Sequence, residues 1–167
     1  VLLSVHYSDS WADPSQQKKP QQWDHISFAS LQDSVAMYTR KIVTEINPEY
    51  IQIGNEINSG FLFPEGSIQN LSQMKTLLNV GISAVKSTNA NTKVILHFAG
   101  FQNANSFFTN VADLNYDIIG ISYYPNWHGK SLIELQQNLE QISNSQNKPI
   151  FIAETAYPFT MSWNDQT

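Results

Sequence analysis

Two glutamates are the residues most able to do chemistry. Glu56 follows Ile51–Gly54 in the phrase IGNE, and Glu154 ends Ile150–Ala153 in the phrase IAET. Both terminate short apolar runs that read as buried strands. A carboxylate there is costly unless it is hydrogen-bonded or has work to do. At the same open end of one layer of strands, the two could face each other across a cleft. Cleavage of a glycosidic bond needs that pairing: one carboxylic acid to protonate the leaving oxygen and one carboxylate at the anomeric carbon. The plainer reading is a pair of structural carboxylates held by Lys or Arg. The chain has only 9 basic side chains, and none lies next to either motif. Asn55, beside Glu56, could donate to a sugar hydroxyl or serve simply as a loop amide.

Other polar and aromatic residues gather at the same kind of position, just past a strand. They are His6 to Asp13, Asn55 to Asn58, His97, Tyr123 to His128, and Glu154 to Tyr157. The indoles of Trp11 and Trp127 could stack on the C–H face of a sugar or pack a loop. Phe61 and Phe63 could line a cleft or fill the space under the loop after Glu56. Three histidines, His6, His97 and His128, suggest zinc at first sight. The sequence lacks HxH and HExxH spacings, which weighs against it. Contact with substrate, or support of the glutamates, fits these histidines better, and Asp9 and Asp13 fit the same two roles.

Five runs are β-like and apolar on both faces: Val1–Tyr7, Tyr50–Gly54, Lys93–Phe98, Asp117–Tyr123 and Pro149–Glu154. Strands covered on both sides look like this. Between them, apolar residues recur every three or four positions, which puts each set on one helix face. The sets are Phe28, Leu31, Val35, Tyr38 and Ile42; Leu71, Met74, Leu78, Ile82 and Val85; and Leu132, Leu135, Leu139 and Ile142. Ser131 with Glu134 fits a capping box, and Asn105–Val111 reads as a shorter helix. This β-α alternation implies parallel strands joined by helical crossovers. It leaves an open doubly wound sheet and part of a (β/α)8 barrel in competition. A glycine-rich phosphate loop is missing after every strand, which weakens a nucleotide-binding sheet. Barrels gather their chemistry at the strand C-termini, where the polar clusters lie.

Composition narrows the partners. The 167 residues carry a formal net charge of −5, which disfavours a phosphate backbone as ligand. The absence of cysteine removes disulfides, thiolate metal sites and cysteine nucleophiles. No apolar run approaches the ~20 residues of a membrane helix. The 30 uncharged amides outnumber the 23 charged side chains, and such a surface suits hydroxyl-rich ligands.

Four phrases then match a known family in its own order: HYSDSWADP (His6–Pro14), IQIGNEINSG (Ile51–Gly60), IGISYYPNWHG (Ile119–Gly129) and ETAYP (Glu154–Pro158). Together they resemble the arabinogalactan endo-β-1,4-galactanases of glycoside hydrolase family 53. The resemblance runs from Val1 to at least Thr160. It implies a (β/α)8 barrel of retaining hydrolases whose two glutamates follow strands four and seven. Carried over by motif, Glu56 would be the acid/base and Glu154 the nucleophile. Asn55 resembles the amide that binds the substrate 2-hydroxyl, and Tyr123 the tyrosine that orients the nucleophile. His6, Asp9, Trp11, His97, Trp127 and His128 would line the substrate site. The substrate would be the β-1,4-galactan side chains of pectin, cut internally without a catalytic metal or other cofactor. A polymeric substrate implies secretion, or residence at the cell surface or in the periplasm. Some bacterial members carry a calcium loop after strand seven, and Asn164 and Asp165 lie in that region.

On this assignment residues 1–167 are the central part of a single catalytic domain, strands three to seven with their helices. Two open parallel edges would invite self-association, and the isolated polypeptide is expected to have little or no activity. Two rivals share the motifs: a hydrolase of the same clan acting on another β-linked glycan, and a non-catalytic carbohydrate-binding partial barrel. The rival without catalysis would make one of the glutamates dispensable, yet both are present.

Overall fold

The computed structural model describes residues 1–157. Five strands form one sheet in sequence order, every neighbour parallel: β1 (Leu2–Val5), β2 (Tyr50–Ile53), β3 (Lys93–Ala99), β4 (Ile118–Tyr123) and β5 (Ile150–Thr155). The connections hold α1 (Phe28–Ile46), α2 (Leu71–Thr88), α3 (Ala104–Asn110), the single turn α4 (Pro125–His128) and α5 (Leu132–Gln146). This is an incomplete (β/α)8 barrel, a little over half of its strands.

The helices begin and end for local reasons. Ser27 caps α1 by accepting from the Ser30 amide at 3.1 Å, and Ser131 caps α5 through Glu134 N at 3.2 Å. Both helices stop at an asparagine in the left-handed region, Asn47 (φ 48°) and Asn147 (φ 50°), a conformation asparagine tolerates better than most residues. Helix α1 buries Leu31, Val35 and Val43, and α2 buries Met74, Leu77, Leu78, Ile82 and Val85. These faces meet the outward residues of the strands, among them Ile51, Ile53, Val94, Leu96, Ile119 and Ile121. The periodic set of α5 is less covered than its spacing suggests: Ile142 is buried, Leu135 and Leu139 are partly buried, and Leu132 is exposed.

On the inner face the strands are not uniformly apolar. Ser4, Gln52, His97 and Ser122 sit one per strand and join in a hydrogen-bonded row. Gln52 Nε2 donates to Ser4 Oγ at 2.9 Å and lies 3.2 Å from His97 Nδ1, while His97 Nε2 is 2.8 Å from Ser122 Oγ. Gly120 leaves room for Ile95 beside this row, since a Cβ there would meet Ile95 Cγ2 at 2.8 Å. Between β4 and β5 the register slips after Ile121, so Ser122 faces Glu154 rather than Ala153. That irregularity re-aims the strand end, as bulges beside active sites do.

Candidate active site

Glu56 stands on a sharp elbow. The chain leaves β2 through Gly54 (φ 83°), and Glu56 itself takes φ 47°, ψ 55° at the head of the turn Ile57–Ser59. A side chain pays roughly 1–2 kcal/mol to sit in this region, so the surroundings must hold it there. They do so through its backbone: the Glu56 amide points at His97 Nδ1, 3.4 Å away, and its carbonyl accepts from Gln17 Nε2 at 3.3 Å. The residue is 9 % exposed, and the Ser122 hydroxyl lies on the side of its carboxyl. Burial, above all, pushes its pKa above the usual carboxylate value. The Ser122 hydroxyl opposes this, and the charges of Glu154 and Asp13 add to it.

Glu154 sits in a different setting. It is half-buried near the end of β5 and accepts from the Tyr124 hydroxyl at 2.8 Å. The phenol titrates well above its ordinary range, through burial, the bond to Glu154 and the charges of both glutamates. It therefore stays protonated as a fixed donor. Among the described residues neither glutamate is ion-paired with Lys, Arg or His, which removes the plain salt-bridge account of them. Each lies close enough for Glu154 to raise the pKa of Glu56.

The remaining candidates divide by position. His97 is completely buried, contacts Asn55 Oδ1 at 3.0 Å and holds a pKa pulled down to about 4, by burial first and the His6 charge second. It is a brace for Asn55 and Glu56 with no exposed surface of its own. Asn55 is also buried: its Nδ2 donates to Ala12 O at 2.9 Å, and its Oδ1 accepts from Ser4 Oγ at 3.3 Å. Tyr123 is not the tyrosine bonded to Glu154. Its side chain is buried and its hydroxyl donates to Gly129 O at 2.7 Å, while the next residue, Tyr124, reaches Glu154. The two tyrosines alternate across the strand end, so one faces the helices and the other the cleft.

His6, half-buried, accepts from Ala12 N at 3.1 Å through Nδ1 and meets the Trp11 ring edge-on at 5.6 Å. Burial lowers its pKa, and the Glu154 charge works against that. Trp11 and Trp127 are 71 % and 64 % exposed, unlike core indoles. Trp127 meets Tyr124 edge-on at 5.1 Å, and His128 Nδ1 accepts from the Tyr124 amide at 3.0 Å. Asp9 accepts from Gln21 N at 2.7 Å and so fastens its own loop. Asp13 caps the turn ahead of it, taking the Ser15 amide and hydroxyl at 2.7 Å each. Phe61 packs in the core. Among the described residues no three His, Asp or Glu side chains converge as metal ligands. Asn164, Asp165 and Pro158 lie outside the described residues.

Sequence reasoning missed Ser4, Gln17, Gln52 and Ser122, and gave Tyr124 only as part of the cluster Tyr123 to His128. For Ser4, Gln52 and Ser122 the available signal was a lone polar residue alternating with apolar neighbours inside each strand, which marks an inward face; Gln17, in a loop, carried no such signal.

The sequence profile described as "Glycosyl hydrolase family 53" matches residues 1–167. The chain belongs to this family. Its relatives agree with that membership. An arabinogalactan endo-beta-1,4-galactanase of Cellvibrio japonicus is 37 % identical over 99 % of this chain and 49 % of its own length. An endo-beta-1,4-galactanase of Bacillus subtilis is 35 % identical over 99 % of this chain and 40 % of its own. Among solved structures, the family 53 catalytic domain of Ignisphaera aggregans superposes with a TM-score of 0.90 at 39 % identity. That match covers 99 % of this chain and 48 % of the other. The chain thus spans about half the length of the curated relatives it matches. No helix among the described residues is long and apolar enough to cross a membrane.

Proposed function

We propose that this chain carries the catalytic glutamates of a secreted, retaining endo-β-1,4-galactanase that cuts the galactan side chains of pectin. The observation that carries the reading is the contrast between the two carboxyls: Glu56 is buried with a raised pKa, and Glu154 is held by a phenol donor without a cation. Environments that separate two titratable groups in this way assign the acid and the base. Membership of family 53 and the names of the relatives support galactan as substrate.

In the first step the Glu154 carboxylate attacks the anomeric carbon, and the glycosidic C–O bond breaks. The leaving oxygen takes the Glu56 proton. This gives a glycosyl ester, with the anionic nucleophile replaced by a neutral group. Loss of that negative charge lowers the pKa of Glu56, which then removes a proton from water. The hydroxide attacks the anomeric carbon, the bond from that carbon to the Glu154 oxygen breaks, and the β configuration returns. The route requires the carboxyls to lie ~5–5.5 Å apart. Tyr124 orients the nucleophile through its hydrogen bond. Trp127 and Trp11, exposed beside the site, offer faces to the sugar C–H surfaces.

The test uses the full-length protein and β-1,4-galactan, with wild type, Glu56→Ala and Glu154→Ala compared before and after azide is added. On a dinitrophenyl β-galactobioside, whose leaving group needs no protonation, azide should rescue Glu154→Ala with an α-azide product and Glu56→Ala with a β-azide product. Full activity in either variant overturns the assignment. An α-configured hydrolysis product from wild type overturns retention.

A further inference from the structure

Gln17 is a buried polar side chain that the chemistry above leaves unused, 2 % exposed and far from Glu56 in sequence. Its Nε2 lies 2.9 Å from Asp13 O, 2.8 Å from Asn55 O and 3.3 Å from Glu56 O. Three carbonyls around one atom fix the amide orientation. The nitrogen must face them, since the oxygen would be repelled by all three. Its two hydrogens are therefore spent on the loop after β1 and on both peptide units of the Asn55–Glu56 elbow.

That elbow carries the left-handed backbone of Glu56. It is gripped on its other side as well. Asn58 Nδ2 donates to Ala99 O at 2.9 Å and its Oδ1 accepts from Ala99 N at 2.7 Å, which ties the turn after Glu56 to the end of β3. The same two loops are joined a second time at Ser59, whose Oγ donates to Pro14 O. This link does not touch Asn55 or Glu56. It provides an internal control, because it stitches the loops without fixing the elbow.

We propose that Gln17 is a positioning residue for the acid/base: its amide clamps the Asn55 and Glu56 carbonyls and so fixes where the Glu56 carboxyl can deliver its proton. The clamp rests on the reading of Glu56 as acid/base. Unpaired buried carbonyls would otherwise pull the elbow toward solvent, and a small misplacement of a catalytic group is expensive.

Full-length Gln17→Met, Gln17→Asn, Ser59→Ala and Glu56→Ala are to be compared on galactan and on a dinitrophenyl β-galactobioside, whose leaving group needs no protonation. Gln17→Met should lose about 10–100-fold in kcat/KM on galactan, a fraction of what a general acid contributes, and less than about threefold on the aryl substrate. The basic limb of its pH profile should move to lower pH as Glu56 meets water. Gln17→Asn, which keeps the amide but shortens its reach, should fall between Gln17→Met and wild type and decides the matter if Gln17→Met does not fold. Ser59→Ala should keep wild-type ratios. Equal losses on both substrates, no loss, or Ser59→Ala matching the Gln17 variants would overturn the clamp. Should Glu56→Ala show no dependence on leaving group, the acid/base reading fails first and takes the clamp with it. If Glu56→Ala shows the dependence and the Gln17 variants do not, only the clamp fails.

Discussion

The two ends of the sheet handle charge in opposite ways. At the N-terminal end of β4, Asp117 accepts from the Val94 amide at 2.8 Å and is paired with Lys86 and Lys93. Burial pushes its pKa up, but the Lys86 hydrogen bond, the Val94 amide and the two ammonium charges outweigh it and hold the carboxyl below its usual value. Nearby, Lys148 donates to Tyr116 O at 2.7 Å and lies 4.2 Å from the centre of that ring. At the C-terminal end, among the described residues, neither Glu56 nor Glu154 has a cationic partner, and Glu154 accepts from the Tyr124 hydroxyl. One end satisfies its charges and joins neighbouring strands. The other leaves carboxylates without counter-ions, at a cost in stability, where a barrel does its chemistry. A carboxylate matched to an ammonium is a poor acid and a poor nucleophile, so the two arrangements cannot be exchanged.

The largest test of this contrast is Glu56→Gln. Galactanase activity of the full-length protein should fall about 10²–10⁴-fold, the usual contribution of a general acid. Melting temperature at pH 7 should rise. The sign follows from linkage: a carboxyl whose folded pKa is raised binds its proton more tightly in the folded state, so stability declines as pH climbs from the unfolded to the folded value. The neutral amide escapes that decline. A melting temperature unchanged or lowered across pH 5–8 would break the contrast.

His97 has the opposite sign. Its folded pKa of about 4 lies below the ordinary value of 6.5, so the unfolded chain binds more protons between these values. Stability contributed by the neutral ring is complete above about pH 6.5 and lost on acidification toward pH 4. A shift of this size corresponds to roughly 3 kcal/mol. Denaturant midpoints of wild type should fall steeply across that window, and those of His97→Gln should be flatter. A wild-type curve flat between pH 4 and 6.5 would count against the buried brace.

Tyr124→Phe and Tyr123→Phe separate the two tyrosines. Loss of a hydrogen bond to a charged group costs about 1.5–3 kcal/mol, so Tyr124→Phe should lower kcat about 10–100-fold. Tyr123→Phe should lower stability by ~1 kcal/mol, a typical neutral hydrogen bond, and leave kcat near wild type. The reverse order would restore Tyr123 to the cleft. At the other end of the sheet, where no effect on kcat is expected, Asp117→Asn should cost about 1–2 kcal/mol of stability, chiefly by weakening the bonds to Lys86 and Val94 N. Its kcat below the melting range should be unchanged. A fall in kcat would mean that the two ends are coupled.

The order of strands and helices was legible in the sequence because burial on a fixed geometric period leaves a fixed apolar period. Leu31 and Val35, or Met74 and Leu78, show it in the chain alone, and the ends of all five strands came within a few residues of their observed positions. Glu56, Asn55 and Glu154 were legible too, as polar residues ending apolar runs within motifs shared with a family. The inner face was harder to see. Ser4, Gln52, His97 and Ser122 come from four separate strands, and only the parallel registers bring them into one row.

The sequence by itself determined the alternation of elements, the helix cap at Ser131, and the identity of two carboxylates at strand ends. These are local matters of period, capping and burial cost. Tertiary structure decided which neighbours those carboxylates have. The slip after Ile121 sets Glu154 opposite Ser122, the pleat sends Tyr124 rather than Tyr123 to the Glu154 carboxyl, and Gln17 comes back across the loops to hold the elbow of Glu56. Each depends on distances between residues tens of positions apart. A chain reveals such distances only after its strands have chosen their registers.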